Sequence, residues 1–209
     1  MTREEYMLKP FKDNAGLIAE RSKAGIENGR KGFCTIALKD ENGAPVREAT
    51  VKLTQKTHDF KYGANIFMID EFETEEKNAA YREVFKQHFN MATVPFYWDT
   101  LEPEEGKPRF AKDSPRVYRR PAPDLCLEYC EENGIKAHCL HYDHFEPKWL
   151  QKYDEPTQWK KLDKRMAECA ERYAHRIHGW EVTNESYWGS YVTPMYINPL
   201  FMERSFQMA

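Results

Sequence analysis

Apolar and polar positions along the chain change period twice, and each change marks a change of structure. Lys12 to Asn28 reads as a helix or helical lead-in that ends at Gly29. Cys34, Ile36 and Leu38 then alternate with Thr35, Ala37 and Lys39, the period of a strand. Asn42-Gly43 is a turn signal, and Val51 and Leu53 alternate in a second strand. Residues 1–59 therefore predict a small β-rich unit behind a helix, too small to be stable without further packing. From residue 60 strands and helices alternate. Phe60–Ile66 is a first strand. Tyr81, Val84, Phe85 and His88 fall on one face of a helix over Thr74–His88. Phe89–Val94 is a second strand. Pro123 opens a helix that stops at Asn133-Gly134. Ile135–Tyr142 is a third strand. Trp159, Leu162, Met166, Ala170 and Tyr173 keep helical spacing, and Ile177–Thr183 is a fourth strand. Asn198-Pro199 opens a last helix that reaches Ala209.

Four strand–helix units in series predict an α/β fold with parallel strands and right-handed crossovers. An eight-unit barrel takes about 250 residues. Residues 60–209 hold four units, so the chain reads as the N-terminal half of a (β/α)8 TIM barrel behind the small β-rich unit. A complete four-stranded α/β sheet is the alternative. Half a barrel exposes strand edges and leaves inward faces uncovered, so self-association is expected.

Composition narrows the partners. The 209 residues carry 31 basic and 34 acidic side chains, a formal net charge of −3. Neither sign dominates, so nothing points to nucleic acid or an anionic membrane. No apolar run reaches the length of a membrane span, and the charged start shows no signal-peptide region. The five cysteines lack a disulfide-framework spacing and read as packed free thiols, which leaves localisation undetermined. The 5 Trp, 12 Tyr and 12 Phe suit a sugar-binding surface and equally an ordinary core.

The most informative stretch is Trp180-Glu181-Val182-Thr183-Asn184-Glu185, followed by Ser186-Tyr187-Trp188. It places a carboxyl group where a barrel strand opens into its loop, the end at which such barrels do their chemistry. The hexapeptide resembles the strand-4 motif of glycoside hydrolase family 10, the β-1,4-xylanase family. The resemblance extends over about residues 60–209, in order. Trp98-Asp99-Thr100-Leu101-Glu102-Pro103 is similar to the strand-2 region, and His138-Cys139-Leu140 to strand 3. Pro147-Lys148-Trp149-Leu150 is similar to the family's Pro-x-Trp-Leu. The resemblance implies that Glu185 is the general acid/base and that Asn184 contacts the reacting sugar. It implies His138, Trp98, Tyr142 and Trp188 as further substrate contacts, a polysaccharide or oligosaccharide as the partner, and no cofactor. A related barrel glycosidase acting on another β-glycan, or a non-catalytic carbohydrate-binding protein, are the alternatives.

Departures from the family pattern are as telling. The usual Glu-Asn-x-x-Lys-Trp after strand 2 appears here as Thr93-Val94-Pro95-Phe96-Tyr97-Trp98, and Trp-His-x-Gln after strand 3 as Tyr142-Asp143-His144-Phe145. The family's second carboxylate, the nucleophile, lies at strand 7, so the chain as given is expected not to turn over. Glu104, Glu105 and Glu146 carry no mark of a substitute. His138, His141, Asp143, His144 and Glu146 crowd together, but strand alternation divides them between two faces, so no metal site is expected. Arg119-Arg120-Pro121 reads as a solvated or carboxylate-paired loop rather than a substrate contact.

Overall fold

A computed structural model describes residues 1–140, 145–186 and 193–209, in two units, Met1–Thr57 and His58–Ala209. The first unit opens with helix α1, Arg3–Asp13. The Thr2 side chain accepts from the Glu5 N–H while Glu5 receives the Thr2 N–H, so two otherwise unpaired donors are satisfied at once. Helix α2, Ala15–Gly29, follows after Asn14, so the expected single helix begins earlier and is broken in two. The expected strands do not form. Asn42-Gly43 makes its turn, and one antiparallel bridge joins Lys39 to Pro45, but no named strand stands in residues 31–57. No residue of this unit is buried. Ile36, Leu38, Val51 and Leu53 therefore alternate without a surface to cover, and a lone two-stranded pairing is marginal in water.

The second unit is a parallel sheet in the order β1–β2–β3–β4: Gly63–Asn65, Met91–Pro95, Lys136–Leu140 and Ile177–Trp180. Between the strands run α3 (Glu75–His88), α4 (Trp98–Leu101), α5 (Pro123–Glu132), a 3-10 turn (Lys148–Lys152) and α6 (Glu155–Tyr173). Two short helices close the chain, α7 (Pro194–Ile197) and α8 (Phe201–Met208). The four strands fall within the segments that alternation marks, apart from Pro95 at the end of β2, and are shorter than those segments. The short α4, the 3-10 turn and α7 have too few residues for a period to reveal.

Register decides the two faces of this sheet. Ala64, Ala92, Ala137 and Ile177 align across the strands on one face, with Val94 and Cys139 above them. This row, buried apart from the half-buried Ala64, packs against α3, α5 and α6, which contribute Phe85, Cys126, Leu127, Leu162 and Tyr173. The other face carries the row Asn65, Thr93, His138 and Gly179, with Lys136 below and Glu181 above. That concave face is mostly polar and half-exposed. The expectation of uncovered apolar area on the inward face is therefore corrected. Beside β4, Met166, Ala170, Trp180, Val182, Phe206 and Met208 line a cavity of about 380 Å³, with Phe206 exposed.

The helices are pinned by local chemistry. Thr74 caps α3 by accepting from the Lys77 N–H. Pro123 opens α5, and Gly134, with φ of 65°, takes the left-handed turn that leads into β3. On α3 the inward face carries Phe85 and Asn78, whereas Val84 is exposed. Asn78 is buried because its amide both accepts from the Phe72 N–H and donates to the Phe72 carbonyl. Cys126, Cys130, Cys139 and Cys169 are buried and in no disulfide, as expected, whereas Cys34 is exposed rather than packed. Burial pushes Cys130 up to about 12 and Cys169 to about 11, which removes thiolate reactivity.

Helix α6 faces the core with Gln158, Leu162, Arg165, Met166, Cys169 and Tyr173. Gln158 is fully buried and fully used. Its amide nitrogen donates to the carbonyls of Tyr153 (2.9 Å) and Leu150 (3.4 Å), and its oxygen accepts from the Met195 N–H (3.0 Å). One side chain thus ties the 3-10 turn and α7 to α6. Replacing it with leucine keeps the volume and strands those backbone groups. Gln158→Leu is expected to cost about 2 kcal/mol of unfolding free energy. Denaturant titration measures this, and an unchanged midpoint and slope would remove Gln158 from that role.

Candidate active site

The loops leaving the C-terminal ends of the four strands form one mouth. They share a backbone peculiarity. Asp70 after β1, Arg119 after β2, Phe145 after β3 and Glu185 after β4 all take positive φ, between 48° and 58°. None is glycine, and a bulky residue holds that conformation only where its surroundings force it. The strain therefore sits in all four loops on the end of the sheet where barrel chemistry occurs.

His138 lies in the middle of the concave row, beside Gly179. A Cβ at residue 179 would come within 2.9 Å of the His138 Nδ1 atom, so the glycine leaves the imidazole its space. Burial holds His138 below its ordinary range, and the neighbouring His178 adds to this. Glu181 stands one layer up, its Oε2 atom 3.9 Å from His138 Nε2. Burial raises the Glu181 carboxyl, and repulsion from Glu185 raises it further. Glu181 is the site residue that sequence reasoning missed. Its alternation with Gly179 on the strand was the available signal.

Glu185 is exposed and stands in the loop beyond β4, because the strand ends at Trp180 rather than at Thr183. Its charge reaches both Glu181 and Tyr97. Asn184 is half-buried beside it. Tyr142 and Trp188, with His141, Asp143 and His144, lie outside the described residues.

Trp98 is placed differently from its expected role. It has no exposed surface and packs edge to face on Trp149, with ring centroids 5.7 Å apart. Its indole N–H donates to Glu102 Oε2, the Trp149 N–H donates to the Glu102 carbonyl, and the Arg165 guanidinium covers its ring. A side chain so enclosed cannot stack on a sugar. The two tryptophans of the motifs after strands 2 and 3 instead lock those loops together.

The remaining loop carboxylates are occupied. Glu104 pairs with Lys107. Glu105 is gripped by Lys152, Lys161 and the Tyr153 hydroxyl, and the two ammonium groups hold its carboxyl down at about 2. Glu146 accepts from the Thr193 hydroxyl. Among the described residues, no three His, Cys, Asp or Glu side chains are grouped to hold a metal ion.

The parallel strands, the polar concave row and the carboxylates at its C-terminal end define half of a βα-barrel. The sequence model of glycosyl hydrolase family 10 matches residues 54–196, and the chain belongs to that family. It is 26% identical over 178 residues to endo-1,4-beta-xylanase 5 of Arabidopsis thaliana, covering 81% of this chain and 28% of that protein. It is 24% identical over 178 residues to the anti-sigma-I factor RsgI6 of Acetivibrio thermocellus, covering 82% of this chain and 21% of that protein. Among solved structures, the endo-1,4-beta-xylanase from Caldicellulosiruptor owensensis superposes with a TM-score of 0.55 at 18% identity, over 72% of this chain and 46% of that one. Xylanase 10B from Thermotoga maritima gives 0.51 at 21%, over 71% and 45%. These likenesses show the barrel fold. The chain spans less than a third of the two curated relatives and under half of the two solved xylanases.

The depressed His138 sets a titration prediction. Its folded value lies below the unfolded one, so the stability it contributes is present above the ordinary histidine range and is lost as pH falls through it. Proton NMR of the His138 ring is expected to titrate low, and His178→Asn to move it part of the way up. A His138 titration at or above the ordinary histidine value would contradict the buried neutral imidazole.

Proposed function

We propose that the chain is the first half of a retaining glycosidase that cleaves β-1,4-linked plant polysaccharide of the xylan type. Glu185 is its general acid/base. It protonates the leaving oxygen and then takes the proton of the attacking water, while Asn184 holds the reacting sugar and His138 donates or accepts from the concave floor. The observation that carries this reading is the family match, which runs through the strand-4 motif and ends beyond Glu185. The polar row of Asn65, Thr93 and His138 beneath that motif supports it. So does the neighbouring pair of carboxylates, Glu181 and Glu185.

The retaining mechanism needs a second carboxylate about 5–5.5 Å from the first. By family resemblance it belongs to strand 7, outside the four strands described. The 209-residue chain is therefore expected to leave xylan intact. A polypeptide that continues through strands 5 to 8 is expected to hydrolyse it, with Glu185→Gln lowering the rate about 10²–10⁴-fold on unactivated substrate. Turnover by the 209-residue chain itself, abolished by Glu185→Gln, would overturn this assignment.

A non-catalytic carbohydrate-binding role is the second reading. The aromatic cluster of Phe67, Tyr97 and Phe145 at the strand ends favours it. Retained glycan binding without hydrolysis in the longer polypeptide would select it over the enzyme.

Self-association follows from the apolar cavity beside β4. Phe206 there is 59% exposed, and each large apolar side chain left in water forfeits about 1.5–3 kcal/mol. Light scattering after size exclusion is expected to show a mass above that of one chain, rising with concentration. A strict monomer with one cooperative thermal transition would contradict it.

A further inference from the structure

A second wall of the mouth is built from residues that no motif marks. Tyr97, just past β2, is buried, and its ring centroid lies 6.0 Å from that of Phe67 after β1 and 5.1 Å from that of Phe145 after β3. Three strand ends are thereby joined through one aromatic cluster. The Asp99 N–H adds a backbone link by donating to the Phe145 carbonyl at 2.9 Å. Over this cluster lies Arg120. Its guanidinium carbon is 3.9 Å from the Tyr97 ring centroid and 5.3 Å from that of Phe67.

Arg120 is held in place from behind. Its N–H donates to the Val117 carbonyl, and its own carbonyl accepts from the buried Arg109. Arg109 spends its other donors on the Thr100 and Pro115 carbonyls, so it fixes the loop that carries Arg120. The preceding residue, Arg119, and Phe145 are both in the left-handed backbone region. Phe145 leaves 44% of its surface exposed beside this guanidinium–aromatic stack. The loop agrees in part with the sequence expectation, since Arg119 is exposed and Arg116 pairs with Glu71, but Arg120 is stacked on the rings rather than freely solvated.

We propose that Arg120 and Phe145 form a glycan-contacting wall of the mouth, opposite in kind to the carboxylates of Glu181 and Glu185. Phe145 offers a ring face to the C–H face of a neutral β-linked sugar. Arg120, flattened on Tyr97 and donating from Nη1 to the Arg119 carbonyl at 2.9 Å, turns its remaining outer N–H groups to sugar hydroxyls. A guanidinium fixed by stacking loses little freedom when it donates, which suits it to orienting a chain of hydroxyls. The charges of Glu181 and Glu185 both reach Tyr97, so a neutral saccharide fits the mouth better than an acidic one. This inference rests on the glycosidase-type reading of the site and adds specificity residues to it.

The test uses the 209-residue chain and linear xylohexaose, with calorimetry and saturation-transfer NMR. Arg120→Ala is expected to weaken binding about tenfold, the loss of one hydrogen bond to a charged donor. Phe145→Ala is expected to weaken it similarly and Phe145→Tyr to preserve it. Arg120→Lys keeps the charge but not the flat stack, and is expected to fall between wild type and alanine with an unchanged melting temperature. Equal affinity of wild type, Arg120→Ala and Arg120→Lys would overturn the wall while leaving the glycan-binding reading standing. Absence of wild-type binding to both xylohexaose and cellohexaose would overturn that reading together with the wall.

Discussion

The parallel register of four short strands is the constraint on which everything else rests. It sets Ala64, Ala92, Ala137 and Ile177 on one face and Asn65, Thr93, His138 and Gly179 on the other. A slip of one residue in any strand would exchange the two sets, burying histidine and threonine among the helices. The apolar set has partners in α3, α5 and α6, so the register is fixed by burial. The polar set is then left on the concave side as a consequence of the same alignment. The site is in this sense the back of the core.

The loops convert that row into a mouth. The fully buried Gln158 fixes the 3-10 turn and α7 on α6. Glu102 collects two indole N–H groups and locks the loop after β2 to the loop after β3. Arg109, also buried, holds the long loop before α5 through carbonyl oxygens. Burying a charge is costly unless it is well hydrogen-bonded, and this one is bonded three times. Rigid loops of this kind can hold left-handed residues such as Phe145 and Glu185 in position, as a preorganised site requires.

Much of the fold was legible in the sequence, because periodicity is a property of faces and the second unit has two clear ones. Phe85 and Leu162 marked the helices correctly, while Val84 did not, since the buried face of α3 runs through Asn78 and Phe85, and Asn78 is held there by the Phe72 backbone. The strands of the first unit were read from Ile36 and Leu38, whose alternation is real but has no third strand or helix to bury it. At the site, the motif around Glu185 and the histidine of β3 could be found from residue types. Trp98 could not be placed, because the same indole serves a core and a sugar platform equally well, and its burial depends on Trp149 and Arg165 from distant segments. Arg120 and Phe145 were not marked as contacts for the same reason: the roles proposed for them depend on Tyr97, which stands where the family carries a polar residue.

The central claim is that the concave row and the strand-4 motif together make a glycan site. Amide NMR of the isotopically labelled chain titrated with xylohexaose tests it most directly. The account predicts shifts concentrated at Asn65, Thr93, His138, Glu181, Asn184 and Glu185, with the outward residues of α3 and α5 unmoved. Shifts confined to the outer helices, or none at saturating saccharide, would contradict it.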